Sequence, residues 1–297
     1  MSDQTLENRL ADIAPPRRNY RRWLTHTGLI LGGTILGIIL IMAVLAPLIA
    51  PFNPYEQNLL VRIVPPVWMD GGSWEHPLGT DHLGRDYLSR LLYGAQVSLL
   101  IGVGTALISG VIGTTLGILA GYFGGKVDTV ITFIITARLS MPVILVALAV
   151  VALAGSSLMI VMAVLGLLLW DRFALVIRAA TQQIRNADFV TASQVQGCSV
   201  FQTLRYEILP NLMNSLVVVA TLEMAQAIVL EAALSFLGLG VPAPLPSWGL
   251  MIAEGKSFIL FDPWLITIPG VLLFALVLGT NLLGDGLRDV TAPEARN

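Results

Sequence analysis

Arg138, Glu223 and Glu231 interrupt stretches that are otherwise apolar. A charge held at the centre of a bilayer costs about 2.5–3.5 kcal/mol on insertion scales. Such residues therefore mark either a route for polar solute or protons, or a structural ion pair. Glu223 and Glu231 are eight residues apart, which on a helix sets them within about 80° of each other, so they are candidates to line one polar track. The alternative for Glu231 is an interfacial position near the outer end of its helix, and for Arg138 a structural bridge to a glutamate. For Glu223 both readings stand open. A second group, His76, Asp81, His82 and Asp86, offers donors for a metal on a polar loop, against a purely structural turn. Other chemistries lack their residues. Cys198, alone, forms neither an intramolecular disulfide nor a multi-thiolate zinc site. There is no G-x-S-x-G nucleophile, and His26, His76 and His82 lie outside the central apolar runs, so a serine at depth has no base. Lys126 follows glycines but precedes Val127, so no phosphate loop is present and the chain cannot hydrolyse ATP by itself.

The elements that position these residues are set by the bilayer. Of the 297 residues, 55% are hydrophobic and 12% charged, and the mean hydropathy is +0.78. That is about half the charge of a soluble domain, which excludes most soluble enzymes. With 17 Lys and Arg against 19 Asp and Glu, no basic surplus points to nucleic acid. Residues 29–50 form a first span of the length that a hydrocarbon core of about 30 Å requires. It is too long for a signal peptide. A Pro- and Trp-bearing polar stretch follows, then a span at 98–121. The apolar block 129–170 is divided at Ala154-Gly155-Ser156-Ser157 into spans three and four. Residues 212–236 make a fifth span and 263–283 a sixth.

Basic residues orient these six spans. Arg9, Arg17, Arg18, Arg21, Arg22, Lys126, Arg172, Arg178, Arg185, Arg205, Arg288 and Arg296 fall on one side, and Arg62, Arg85, Arg90 and Lys256 on the other. Twelve against four predicts that both termini are cytoplasmic. Gly113, Gly117 and Gly121, with Gly102, Ala106 and Gly110 beside them, form small-residue rows that let helices approach closely, within the chain before between subunits. Pro142 and Pro269 can kink spans three and six.

Between Asp171 and Pro210 lies a segment too polar to insert. Asn186 and Asp188 are N-cap candidates for a helix over 189–196, Gly197 breaks it, and a second helix over 199–208 ends before Pro210. The pair makes a knob whose apolar residues are Phe189, Val190, Val195, Val200, Phe201 and Leu204. Such a knob suits a groove on a partner protein, or the lipid surface.

The run Phe189-Val190-Thr191-Ala192-Ser193, with Gly197 and Ile208-Leu209-Pro210-Asn211, resembles the EAA loop of bacterial ABC-importer permeases. His76-Pro77-Leu78-Gly79-Thr80-Asp81, Leu83-Gly84-Arg85-Asp86, Leu234-Ser235-Phe236-Leu237-Gly238-Leu239-Gly240, Trp248-Gly249 and Gly284-Asp285-Gly286-Leu287-Arg288-Asp289 are similar to the C-type permease of dipeptide, oligopeptide and nickel importers. There are departures. Thr191 stands where the loop has its naming glutamate and Ser193 where it has its second alanine, which implies a coupling contact kept by shape. Phe133 and Thr136 replace an arginine and an aspartate usual early in span three, with Arg138 nearby.

The resemblance implies an all-α, polytopic membrane protein of type I ABC importer permease architecture in the bacterial inner membrane. The chain then divides into a cytoplasmic tail (1–28), a first helix (29–50), a periplasmic segment (51–95), a five-helix core (96–284) and a cytoplasmic tail (285–297). Within the core lie a coupling segment (179–211) and a periplasmic loop (238–262). In that coupling segment Asp188, Thr191, Ala192, Ser193, Gly197, Ile208, Leu209 and Pro210 are expected to meet an ATP-binding subunit. The implied partners are a homologous permease, two ATP-binding subunits that carry ATP and Mg, and a periplasmic or lipid-anchored solute-binding protein. No cofactor is expected on this chain. The resemblance accounts for His76, Pro77, Gly79, Thr80, Asp81, Gly84, Arg85 and Asp86 without a metal. The competing class is an ion-coupled transporter or channel using Glu223, Glu231 and Arg138, against which stands the lack of an inverted repeat with paired broken helices. Dipeptide, oligopeptide, nickel chelate, opine and glutathione all remain open as the solute.

Overall fold

A computed structural model describes residues 26–291; residues 1–25, with the basic cluster at 9–22, and 292–297, with Arg296, lie outside them. The described residues are helical, without a β-strand. Helix α1 (Thr27–Ile49) is followed by an outer segment and the long α2 (Tyr87–Phe123). Helices α3 (Gly125–Leu139) and α4 (Val143–Ala154) form a pair bent by 83°. Helices α5 (Leu158–Leu168) and α6 (Trp170–Ile184) run on as one candidate span of 27 residues. A short α7 (Asp188–Val195) leads through a turn to α8 (Leu209–Phe236), and α9 (Trp248–Gly255) precedes α10 (Trp264–Thr291). Among the described residues five helices are long and apolar enough to cross a membrane, six if the bent α3–α4 pair counts as one span.

The core around α9 is rich in aromatic side chains. Tyr87, Leu91 and Ala95 of α2 pack with Ile39 and Ala43 of α1, Ile228 of α8, Trp248 and Met251 of α9, and Trp264 of α10. The Trp248 indole donates to the Leu91 carbonyl at 3.0 Å, which pins α9 onto α2. The opposite surface of α1 exposes Leu31, Leu40, Ile41, Val44 and Leu48, the pattern of a helix whose outer solvent is lipid.

Several boundaries differ from the sequence expectation. The fourth span does not stop at Trp170. Trp170, Phe173, Ala174, Ile177 and Thr181 are buried at helical spacing along α6, and this stripe packs on the glycine row of α2. A Cβ at Gly113 would collide with the Trp170 carbonyl, one at Gly117 would stand 2.8 Å from the Ala174 carbonyl, and one at Gly121 2.6 Å from Thr181 Cβ. The row therefore serves a contact within the chain. Helix α2 begins at Tyr87, inside the stretch expected to be loop up to residue 95, because Asp86 caps it by accepting from the Ser89 amide at 2.8 Å. Span three breaks outright at Ser140-Met141-Pro142. Helix α10 runs past Asp285 to Thr291, with Asp289 set 3.2 Å from His26 at the start of α1.

The coupling segment also differs. Ala187 holds the N-cap position of α7, Asp188 is its first residue, and no side chain caps it. The second helix does not end before Pro210. Ser199 and Gln202 form a reciprocal capping box that starts a three-residue turn, Val200–Gln202. A π-helical stretch, Thr203–Ile208, joins that turn to α8 without interruption, and the Leu209 amide donates to the Leu204 carbonyl five residues back. The wider turn relaxes the local ladder where Pro210 brings no donor.

Candidate functional site

The outer motif builds a closed ionic clasp. Asp81 accepts from the backbone amides of Leu83 (2.8 Å) and Arg85 (3.0 Å) through Oδ1, and from Arg85 Nε (2.6 Å) and Arg90 Nη1 (2.5 Å) through Oδ2. Arg85 and Arg90 also reach Glu254 on α9, at 3.1 and 2.6 Å. Both guanidinium groups are buried. Burial works against ionisation of Asp81, but Arg90 and Arg85, with the two amides, prevail and hold its carboxyl below the usual carboxylate range. The remaining motif residues fix the loop. Thr80 Oγ1 donates to the Val61 carbonyl and accepts from the Val64 amide at 2.9 Å. His76 lies 2.9 Å from Asp86, and a Cβ at Gly84 would collide with the Asn58 carbonyl. Pro77 accepts through its carbonyl from the Val67 amide, and Gly79 from Tyr87.

The histidine–aspartate group is thus divided between two contacts. Donor atoms of Asp81, His82 and Glu254 lie within 4.8 Å of one another. The two carboxylates among them are engaged by two guanidinium groups, whose charge opposes a cation at the same place.

A second set of charges lies within the candidate spans. Arg138 on α3 meets Asp171 at 3.5 Å, so its partner is an aspartate rather than the expected glutamate. Arg172, next in sequence, meets Glu223 on α8 at 3.3 Å. Glu231 stands apart from these, buried towards the C-terminal end of α8, where it accepts from the hydroxyls of Ser235 (2.7 Å) and Ser247 (3.0 Å). Sequence reasoning missed Asp171 and Arg172 as partners because they read as the start of a loop. The signal was their position directly after the apolar run 158–170.

The third region is the segment around α7. Val190 is buried with Ile118, Ile177, Ile208 and Leu212, and Ser193 is buried beside it, which fixes the inner face of the turn. Asp188, Thr191 and Ala192 are exposed. Gly197 adopts φ +83°, a backbone that a side chain disfavours, and reverses the chain after α7. Phe189, Val195, Val200, Phe201 and Tyr206 remain exposed on the outside. Of the apolar residues expected on the knob, Val190 and Leu204 turn inward and the others outward. Leu209 and Pro210 open α8, and Ile208 anchors it in the same cluster.

A bundle of apolar helices of spanning length, with a small polar turn around α7 and a closed loop-and-helix layer around α9, is the build of a polytopic membrane protein. Residues 113–297, more than half of the chain, match the family described as binding-protein-dependent transport system inner membrane component, and the chain belongs to that family. Residues 17–66 match the N-terminal TM domain of oligopeptide transport permease C. Among curated proteins, the chain is 38% identical over 296 residues to the dipeptide transport system permease protein DppC of Haemophilus influenzae, covering 100% of both. It is 38% identical over 283 residues to the di/tripeptide transport system permease protein DppC of Pseudomonas aeruginosa, covering 95% of this chain and 93% of that protein. Its fold is that of the type I ABC importer permeases. A chain of the MetNI methionine ABC transporter in an inward-facing conformation aligns with a TM-score of 0.57 at 21% identity, covering 68% of this chain and 97% of that one. The protein is a multi-pass membrane permease subunit, and the EAA loop and coupling helix fit that family.

Proposed function

We propose that this chain is the permease subunit of an ATP-driven importer of dipeptides or closely related small peptides. It pairs with a homologous permease in the bacterial inner membrane. Two ATP-binding subunits, which carry ATP and Mg, dock on the cytoplasmic side, and a periplasmic or lipid-anchored solute-binding protein delivers the peptide. The observation that carries this reading is the exposed apolar face of the α7 turn, on a base held rigid by Val190 and Ile208. Exposed apolar patches outside lipid mark docking surfaces. Both termini and α7 then face the cytoplasm, and the clasp and α9 face the periplasm. Full-length likeness to relatives named for dipeptides and di/tripeptides supports the solute class. Family membership favours this reading over an ion-coupled carrier built on Glu223, Glu231 and Arg138.

In this mechanism closure of the ATP-binding subunits moves α7 as a lever. Because α7 is packed on α6 and the start of α8, its motion passes to those spans as rigid elements and opens the pathway alternately to the two sides. ATP and the loaded binding protein supply the differential stabilisation of the two states. The test is to tag the C-terminus, extract native membranes gently, identify the co-purifying chains and measure peptide uptake by the reconstituted assembly. Two ATP-binding subunits, a homologous permease and uptake that stops without ATP are expected. A lone chain without ATPase activity, confirmed by crosslinking before extraction, would overturn the proposal.

A further inference from the structure

The segment between α1 and α2 carries a second exposed apolar surface besides the α7 turn, and the chain's own bonds hold it in shape. Its two rails are joined by backbone hydrogen bonds: the Ile63 amide to the Asp81 carbonyl (3.1 Å), the Thr80 amide to the Val64 carbonyl (3.0 Å) and the Val67 amide to the Pro77 carbonyl (3.1 Å). The second rail ends in Asp81, so the stem is rooted in the clasp. Beyond Val67 the tip turns twice, with the Met69 amide on the Pro66 carbonyl (2.9 Å) and the Gly72 amide on the Met69 carbonyl (3.0 Å). Gly71 takes φ +85°, and a Cβ at Gly72 would collide with the Pro66 carbonyl, so only this glycine pair lets the tip fold so tightly. His76 closes it, packed on the Phe52 ring at 4.7 Å and set 2.9 Å from Asp86.

On this tied backbone the large side chains face outward. Trp68 is 63% exposed and Trp74 81%, with Met69 exposed as well, whereas Trp170, Trp248 and Trp264 are buried. Tryptophan and methionine are enriched where proteins meet one another. The other surroundings that suit an exposed tryptophan are lipid headgroups, and segments that rest on those add Lys and Arg. Residues 67–77 hold neither; they hold Asp70 and Glu75, both exposed, which anionic headgroups repel. The complement of such a surface is a protein face with an apolar centre and a basic rim. From the fixed stem, the two tryptophans and the two carboxylates, we infer that residues 67–77 form a docking arm for the solute-binding protein, whose facing surface carries lysine or arginine around an apolar patch. The inference rests on the import reading above, which places this loop on the periplasmic side, and adds the surface and the charge that the partner must match. Because the arm is already ordered, docking pays little loop entropy. The carboxylates steer the encounter, and the tryptophans set how long it lasts. Through Asp81, Arg90 and Glu254 a load on the arm passes to α2 and α9.

The test uses the complete importer in nanodiscs that contain phosphatidylglycerol, with its own solute-binding protein as the probe. Trp68→Ala with Trp74→Ala removes exposed side chains, so the homologous permease is expected to co-purify as with the wild type. Affinity for the binding protein is expected to fall about tenfold or more, the scale of a central aromatic contact. Wild-type affinity is expected to weaken as salt rises, and Asp70→Lys with Glu75→Lys to lower affinity and remove that dependence. Unchanged affinity in the tryptophan variant would overturn the inference and leave import itself standing. Loss of the homologous permease from that variant would make the arm a subunit contact and likewise overturn it. The membrane is tested with Trp74→Cys on a Cys198→Ser background, labelled with bimane. Its fluorescence is expected to change when the binding protein is added and to ignore doxyl-labelled lipid; quenching by the lipid would make the arm a membrane anchor and overturn the docking role. If the wild-type importer binds no solute-binding protein and ATP drives no uptake, the import reading falls, and the arm's partner with it.

Discussion

Two clusters of opposite charge sit in this molecule, and they are built to different standards. In the outer clasp, Asp81, Arg85, Arg90 and Glu254 meet at 2.5–3.3 Å, and Asp81 alone collects four donors. In the inner chain, Arg138–Asp171 and Arg172–Glu223 meet at 3.5 and 3.3 Å, the Glu223 oxygens have no hydrogen-bond donor, and Arg172 is mostly exposed. A buried ion pair is held in place only when further hydrogen bonds satisfy its atoms. The clasp meets that condition at its two carboxylates, with Arg90 Nε and Nη2 left without a partner, and it joins the loop before α2, α2 and α9 into one unit. The inner chain does not. The same residue types thus make a tightly hydrogen-bonded contact in one place and a looser one in the other.

The sharpest way to break this contrast is to remove one charge from each cluster. Arg90→Met leaves Asp81 and Glu254 short of a buried partner and is expected to cost about 3–5 kcal/mol. Thermal unfolding of the purified importer measures it, and a loss under about 1 kcal/mol would mean that the clasp is no stronger than the inner chain. Next in size is the scaffold that carries the inner chain. Gly117→Leu forces a side chain against the Ala174 carbonyl and the Arg178 amide, and the overpacking is expected to cost about 1–3 kcal/mol and to lower yield in the membrane. A fully stable variant would show that α6 can shift away from α2.

Acid sharpens the comparison further. The carboxyl of Asp81 is held below its ordinary range in the folded protein. Its contribution to stability is therefore complete above the unfolded value of about 3.9 and is lost as pH falls through the folded value. Melting temperature is expected to be flat in this respect from neutral pH down to about 5 and to drop below about 4. Asp81→Asn is expected to remove that acid limb; if it persists unchanged, another carboxylate governs it.

Much of the fold was legible because the bilayer imposes length and apolarity on each span. The turn at Ala154-Gly155-Ser156-Ser157 and the reversal at Gly197 fall where the sequence set them, since both need residues that leave or bend the helix. Most of the failures share one cause. Asp171, Arg172 and Arg178 read as a loop because charge is costly in lipid, yet each is matched by a partner far along the chain: Arg138, Glu223 and Asp128. Pairings across helices carry no local signal. Glu254 joined the clasp unannounced for the same reason, since it lies 173 residues from Asp81. The π-helical passage through Thr203–Ile208 was hidden because Pro210 looks like a helix end. A proline that follows a wide turn instead continues it.

The smallest expected effect on stability is the most informative for the comparison. Arg172→Gln removes a charge that touches Glu223 but is 57% exposed. The substitution leaves the buried Glu223 without its counter-charge, but its oxygens hold no hydrogen bond to lose. The melting temperature of Arg172→Gln is therefore expected to fall less than that of Arg90→Met, which gives up charge-assisted hydrogen bonds to two carboxylates, although each substitution removes one arginine from one ion pair. A fall of comparable size in both would mean that the inner pair is as fixed as the clasp, and that the exposure of Arg172 is covered by protein in the assembled importer. A fall confined to Arg90→Met would show that the fold leans on the clasp and not on the inner pair.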